Sequence, residues 1–228
     1  KKIIILSRDE LKQHEMKNED IFKKNYKKMR YFVGDIREKE RLINAFSKVD
    51  YVIHAAALKQ VDTAEYNPFE FIKTNIYGTE NVIQAAAVNN VKKVIALSTD
   101  KAVSPINLYG ATKLCADKLI ISANNIFGSK NISFSLVRYG NVVASRGSII
   151  PIILKNRNKK EIELTDKNMT RFNITLGEAV DLVMMALEKS KGGEIYVPKM
   201  SSYRLVDLAK AIAPKSKLKF TGLRPGEK

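Results

Sequence analysis

Short apolar runs separated by longer amphipathic stretches set the rhythm of this chain. Ile3-Ile4-Ile5-Leu6, Tyr31-Phe32-Val33, Tyr51-Val52-Ile53, Lys93-Val94-Ile95-Ala96-Leu97 and Phe134-Ser135-Leu136-Val137 each read as a strand without polar alternation. Helical patterns separate them, over about 38–46 (Leu42, Ile43 and Phe46 on one face), 68–89 and 109–126. Strands that are apolar on both faces belong to a parallel sheet covered by helices on each side. The pattern therefore predicts an α/β fold, a doubly wound parallel sheet whose ligands bind beyond the carboxyl ends of the strands. After about Asn141 the alternation loosens, which predicts a smaller C-terminal lobe.

Composition narrows the class. With 45% hydrophobic and 28% charged residues, the chain can bury a substantial core and is neither disordered nor fibrous. No apolar run approaches the roughly 18 residues of a membrane span, and Ile149-Ile150-Pro151-Ile152-Ile153-Leu154 is broken by its proline. A single cysteine, Cys115, excludes an intrachain disulfide framework and suits a reducing, cytoplasmic setting. No secretory signal is expected at Lys1-Lys2-Ile3-Ile4-Ile5-Leu6. The formal charge of +16 fits a polyanion: nucleic acid, an anionic membrane or a phosphorylated small molecule. Thirty of the forty basic residues are lysines, scattered rather than gathered on one element with aromatics between them. That pattern is a lysine-rich background, not a nucleic-acid surface.

The chemistry concentrates in Ser98-Thr99-Asp100-Lys101 and, shortly after, Tyr109-Gly110-Ala111-Thr112-Lys113. Tyrosine and lysine four apart share one helix face. A nearby ammonium favours phenolate, so Lys113 is expected to pull the Tyr109 pKa down toward the working pH and make it a base. Thr99, at the end of the preceding strand, can hydrogen-bond a substrate oxygen. On its own, Y-x-x-x-K describes many helix surfaces, and Asp100-Lys101 could be a solvated ion pair. Ser7 and Arg8 end the first strand with Lys12 one turn on, a hydroxyl and a guanidinium fork suited to phosphate. Asp9 counts against that, and helix capping by Ser7 is the structural alternative. His54 is expected to be packed or hydrogen-bonded, His14 exposed, and Cys115 and Met184-Met185 in the core. No cluster has the spacing of a metal site.

These runs resemble the extended short-chain dehydrogenase/reductase family. The likeness extends over Ser7-Arg8-Asp9-Glu10-Leu11-Lys12, Gly34-Asp35-Ile36-Arg37, His54-Ala55-Ala56-Ala57-Leu58-Lys59-Gln60-Val61 and Thr74-Asn75-Ile76-Tyr77-Gly78-Thr79. It continues through 96–114, Arg138-Tyr139-Gly140-Asn141-Val142, Ser145-Arg146-Gly147-Ser148, Met169-Thr170-Arg171-Phe172 and Arg224-Pro225-Gly226-Glu227-Lys228. The resemblance is nearest to the inverting 4,6-dehydratase branch that serves polysaccharide and pseudaminic acid biosynthesis. It implies a Rossmann-like domain over 1–141, with 173–190 packing back on it, and a mainly substrate-binding lobe over 142–228.

A lyase acting on UDP-N-acetylglucosamine is implied, running a redox-neutral cycle on NADP and inverting C5. Thr99, Asp100, Lys101, Tyr109 and Lys113 take the catalytic positions. Tyr109 serves as base at the sugar 4-hydroxyl, Asp100 protonates the departing 6-hydroxyl, and Lys101 acts at C5. Cofactor positions are Ser7, Arg8, Lys12, Asp35, Ile36, Ala55, Ala56, Ala57, Lys59 and Asn75, with Tyr109 and Lys113. In this fold an arginine ending the second strand accommodates the NADP 2′-phosphate where an acidic residue would grip NAD, so NADP is expected rather than NAD. Lys59, Asn141, Arg146, Arg171 and Arg224 are the implied substrate contacts, the arginines suiting a diphosphate. The implied assembly is a homo-oligomer in the cytoplasm, with a UDP-sugar as partner and neither nucleic acid nor a membrane segment.

No G-x-x-G-x-x-G turn occurs. The expectation is that the first β-α unit of the domain precedes Lys1 and that the C-terminal lobe is incomplete. A nucleotide-sugar C4 or C5 epimerase and a non-catalytic truncated relic are the alternatives.

Overall fold

The structure, a computed structural model, describes residues 2–145, 147–223 and 226–227. β1 (Ile3–Ser7) and β2 (Met29–Val33) pair in parallel, from Ile3 opposite Met29 to Ser7 opposite Val33. α1 (Glu10–Asn18) and α2 (Asp20–Lys24) connect them. Asp9 caps α1, accepting from the Lys12 N–H at 2.8 Å, while Ser7 accepts from the Asp9 N–H. Ser7 is thus the strand end and not the helix cap.

α3 (Lys39–Ala45) leads into β3 (Tyr51–His54). α4 (Val61–Tyr66), α5 (Pro68–Phe71), a π-helical turn (Ile72–Tyr77) and α6 (Gly78–Val88) follow, then β4 (Lys93–Thr99). The helix expected over 68–89 is therefore interrupted by one wide turn, which buries Thr74 and Asn75. A 3-10 turn (Asp100–Ala102), α7 (Leu108–Ile126) and β5 (Ser133–Tyr139) complete the regular alternation. Beyond it lie β6 (Asn141–Val142), α8 (Ile149–Asn156), β7 (Glu161–Leu164), β8 (Thr170–Ile174), α9 (Leu176–Lys189), β9 (Ile195–Tyr196), β10 (Ser201–Arg204), α10 (Leu205–Ile212) and β11 (Lys217–Phe220).

Strands β3, β4, β5 and β9 lie side by side in that order, all parallel. β1-β2 forms a separate parallel pair, and β6-β8-β10 and β7-β11 form two small sheets. The central strands β4 and β5 are covered on both faces, as their apolar runs require, while the edge strand β3 leaves Tyr51 and Ile53 about half exposed. On one side Val94, Ala96, Phe134 and Leu136 pack with Leu42, Val82 and Ile120 of α3, α6 and α7. On the other, Ile95 and Val137 meet Leu182, Val183 and Ala186 of α9. A further core joins Ile153, Ile162, Leu164, Leu205 and Ala209 in the C-terminal part. No helix among the described residues is long and apolar enough to cross a membrane.

Two burial expectations fail for the same geometric reason. Met185 packs against the core of α9, but Met184 is 53% exposed. Successive helical residues point about 100° apart, and α9 buries a single stripe. Cys115 is exposed, because it lies two residues beyond Lys113 and faces away from the stripe that α7 buries. His14 is exposed and His54 buried, as expected. His54 Nε2 lies 3.0 Å from Thr79 Oγ1. The Thr79 hydroxyl proton goes to the Asn75 carbonyl, so His54 is the donor in that contact. Burial, with the Lys113 charge adding to it, pushes His54 down to about 3 and keeps it neutral.

Candidate active site

A cleft of about 560 Å³ opens at the carboxyl ends of β3, β4 and β5. Thr99, Lys101, Tyr109 and Lys113 line it together with Ala55, Ala57 and Lys59 from the segment after β3. Asn141 and Arg171 face it from the C-terminal part, as do Gly226 and Glu227. A second cavity of about 240 Å³, partly bounded by Ile149, Leu164 and Tyr203, shares Asn141, Arg171 and Glu227 with it.

Local chemistry builds the catalytic wall. Asn107 caps α7, its Oδ1 accepting from the Gly110 N–H at 2.7 Å. That fixes Tyr109 and Lys113 in the first two turns, both buried at the cleft floor. Gly110 is required because any Cβ there would overlap the Lys101 carbonyl oxygen. The absence of a side chain brings α7 directly against the 3-10 turn. Asn107 Nδ2 also donates to the Gly226 carbonyl at 2.7 Å. Gly226 has φ +72°, and a Cβ would lie 2.9 Å from that of Asn107, so glycine meets both demands.

Tyr109 does not carry the lowered pKa expected of it. Burial pushes the phenol up to about 12, reinforced by Asp100, Tyr139 and Asp117, while a hydrogen bond with Thr99 pulls the other way. The Lys113 ammonium donates to the Leu97 carbonyl at 2.8 Å rather than to the phenol. Burial lowers the Lys113 pKa, and the Asp117 charge opposes that shift. Helical spacing put lysine and tyrosine on one face, but burial of the phenol decides its pKa.

The Asp100–Lys101 pair is not a solvated pair at a strand end. Lys101 Nζ lies 3.1 Å from Asp100 Oδ1 and 3.3 Å from Asn141 Oδ1, and both charged side chains are about three-quarters buried. Lys101 lines the cleft, and Asp100 stands behind it, also accepting from the Thr99 hydroxyl at 3.0 Å.

Ser7, Arg8, Lys12, Asp35 and Ile36 gather separately, at the carboxyl ends of β1 and β2. Arg8 approaches Asp35 at 3.3 Å and is half exposed. Burial pushes Asp35 up, but the Arg37 hydrogen bonds and the Arg37 and Arg8 charges outweigh it and hold the carboxyl below its ordinary value. Ile36 packs into the core beside Gly78, and its carbonyl accepts from Asn81, so its side chain faces no cleft. Ala56 is exposed but outside the cleft lining. Asn75 also lies behind the wall: it accepts from the Leu58 N–H and donates to the Leu58 carbonyl and the Thr112 hydroxyl. It positions the 55–60 segment against α7 and does not touch the cleft. Arg146 and Arg224 lie outside the described residues.

The reading from spacing missed three groups. Asp117, four residues past Lys113, continues the Tyr109–Lys113 face and forms a buried ion pair with Arg138 at 2.6 Å. Its i+4 spacing was the available signal. Asn107 and Glu227 were within quoted runs but carried no assigned role. Glu227 Oε1 meets Arg171 at 3.2 Å and Thr165 Oγ1 at 3.3 Å, and its buried Oε2 has no hydrogen-bond partner. A buried acceptor without a donor is costly, so Oε2 suits a ligand hydroxyl or N–H.

The donor set fits a nicotinamide dinucleotide. Ala55 and Ala57 leave the backbone of the cleft wall approachable, and Arg8 keeps half of its side chain open for an anion. Among the described residues no cluster could hold a metal ion.

The sequence of the whole chain, residues 1–228, matches the family described as polysaccharide biosynthesis protein. It is 56% identical over 229 residues to the UDP-N-acetylglucosamine 4,6-dehydratase (inverting) of Campylobacter jejuni subsp. jejuni serotype O:23/36, covering 100% of this chain and 67% of the relative. It is 45% identical over 233 residues to the UDP-glucose 4-epimerase of Rickettsia bellii, again covering 100% and 67%. The X-ray structure of Pen from Bacillus thuringiensis superposes with a TM-score of 0.95 at 42% identity, covering 100% of this chain and 73% of that one. With its Rossmann-like parallel sheet and a match over its full length, the chain belongs to the polysaccharide biosynthesis protein family, of short-chain dehydrogenase/reductase type.

Proposed function

We propose that this chain forms the catalytic cleft of an NADP-dependent UDP-N-acetylglucosamine 4,6-dehydratase that inverts C5. The observation that carries this reading is the convergence of Thr99, Lys101, Tyr109 and Lys113 with Asn141 and Arg171 on one cleft. The 56% identity to a dehydratase so named supports it. Residues 1–141 with α9 form the cofactor side, and 142–228 otherwise form the substrate side.

A nicotinamide dinucleotide, when bound, would supply the acceptor and return donor for the sugar C4 hydrogen. Tyr109, acting as phenolate, takes the proton of the 4-hydroxyl, with Thr99 orienting the same oxygen. A C4 ketone acidifies the C5 proton; a proton passing from Lys101 to its partner Asp100 leaves an amine that takes the C5 proton and a carboxylic acid for the leaving group. Asp100 then protonates the departing 6-hydroxyl. An acid and a base on adjacent residues, each with its own surroundings, suit a step that needs both. Arg171 and Glu227 meet the nucleotide end, a fork for phosphate and an acceptor for a hydroxyl. Such a soluble nucleotide-sugar and cofactor pair suits the cytoplasm, and the enzyme works as a homo-oligomer.

Incubation of the full-length protein with UDP-N-acetylglucosamine and NADP, followed by mass spectrometry, tests the reading. A product lighter by one water supports it. An isobaric product supports the 4-epimerase alternative, which the 45% identity to an epimerase favours. No turnover with NADP supplied defeats both and leaves a non-catalytic relic. Arg8→Ala should weaken NADP binding about tenfold or more while leaving NAD within about twofold.

A further inference from the structure

We infer that Asp117 is a positioning residue of this cleft, one carboxylate that ties α7 to the ends of β4 and β5 and balances the buried charge of Lys113. The inference rests on the reading of Tyr109 and Lys113 as the reacting pair. Asp117 Oδ2 accepts from Ser98 Oγ at 2.8 Å and pairs with Arg138 at 2.6 Å. Ser98 and Arg138 are direct partners in the parallel register of β4 and β5. Each immediately precedes a residue at the site: Thr99 and Tyr139. Tyr109, Lys113 and Asp117 succeed one another at four-residue spacing along α7, so all three face the sheet.

The side chain of Asp117 is 5% exposed, and that of Arg138 is 17% exposed. Little water screens this charge from its neighbours. The groups around Tyr109 are Asp100 from the 3-10 turn, Tyr139 from β5, and Lys113 and Asp117 from its own helix. Lys113 in turn faces His54 from β3, and Lys101 and Lys59 also line the cleft. Within that set the Asp117 charge favours the protonated form of both groups: it adds to the upward shift of the phenol and opposes the burial that lowers Lys113. An ion pair with only a structural task would hold the fold without moving either titration.

Tyrosine labelled with ¹³C at Cζ reads the Tyr109 ionisation directly, assigned by its loss in Tyr109→Phe and independent of any substrate. Asp117→Asn keeps the shape and removes the charge. At pH 11 it should show about two to three times more Tyr109 tyrosinate than the unaltered chain. In turnover with UDP-N-acetylglucosamine and NADP, both limbs of its pH profile should move to lower pH. Ser98→Ala keeps the charge but removes one tie. It should lower kcat about fivefold or more with KM within twofold, and leave the Tyr109 titration where it was. A folded Asp117→Asn that titrates like the unaltered chain overturns the charge role, and a Ser98→Ala with unchanged kcat overturns the positioning role. Should Asp117→Asn fail to fold, Asp117→Glu replaces it: the Tyr109 titration must then stay in place while kcat falls, and a titration that moves counts against the inference. If the unaltered full-length protein does not turn over, the dehydratase reading fails, and the Tyr109 titration still decides the charge role of Asp117.

Discussion

Replacing Glu194 with glutamine should remove a defined, pH-dependent share of stability from the turn that leads into β9. Glu194 closes the turn between α9 and β9, accepting from Lys191 N–H and Gly192 N–H at 2.8 Å and from Ser135 Oγ at 2.7 Å. Burial pushes its carboxyl up, but these hydrogen bonds outweigh it and bring Glu194 from 4.5 down to about 2. Taken whole, such a difference corresponds to about 3 kcal/mol. The carboxylate is only partly buried, and solvent screening reduces this to about 1–2 kcal/mol. A depressed folded pKa gives stability that is complete above 4.5 and is lost as pH falls toward 2. His54, also depressed, adds a separate window: its contribution is complete above 6.5 and is lost as pH falls toward 3. Urea unfolding followed by circular dichroism at pH 7 and pH 3 separates the two. Glu194→Gln should be less stable by about 1–2 kcal/mol at pH 7 with the slope m unchanged, and more than half of that gap should vanish at pH 3. An equal gap at both pH values, or none at pH 7, would refute the argument.

Gly110→Ala should reverse the usual helix trend. Propensity alone would add about 1 kcal/mol, but the new methyl overlaps the Lys101 carbonyl oxygen and lies 3.0 Å from Pro105 Cβ. Overpacking of this kind costs about 1–3 kcal/mol, and displacement of the Lys101 turn should cut turnover about 100-fold; a variant more stable in urea would contradict the geometry. Phe134→Ala, at a position with no exposure, should lose about 3–5 kcal/mol, measured by the same unfolding. Asn75→Ala should cost about 1–3 kcal/mol by stranding the polar backbone of Leu58, which Asn75 bonds on both sides, while direct binding of NADP weakens as the 55–60 segment loosens.

Much of the architecture was legible because it is written locally. Strands apolar on both faces announced a sheet covered on both sides, and β4 and β5 are covered in that way by α6, α7 and α9, whereas β3 buries one face and leaves Tyr51 and Ile53 about half exposed. The spacing of Tyr109 and Lys113 placed them on one face of one helix, where they are. The same local reading misplaced Met184 and Cys115, because a run of apolar residues does not say which of them a neighbouring sheet will cover.

By itself, then, the sequence determined the alternation of strands and helices up to β5, the family, and part of the cleft lining: Thr99, Lys101, Tyr109, Lys113, Asn141 and Arg171. Those follow from periodicity and from motifs, which are properties of neighbours along the chain. Only the tertiary structure decided what those residues do to one another. It raised the Tyr109 pKa where spacing predicted a fall, and drew Lys113 onto the Leu97 carbonyl. It placed Asn75 behind the wall, and joined Asp117 to Ser98 and Arg138 across 19 and 21 residues of chain. Desolvation and charge act through space and grow with burial, and linear spacing records neither distance nor burial.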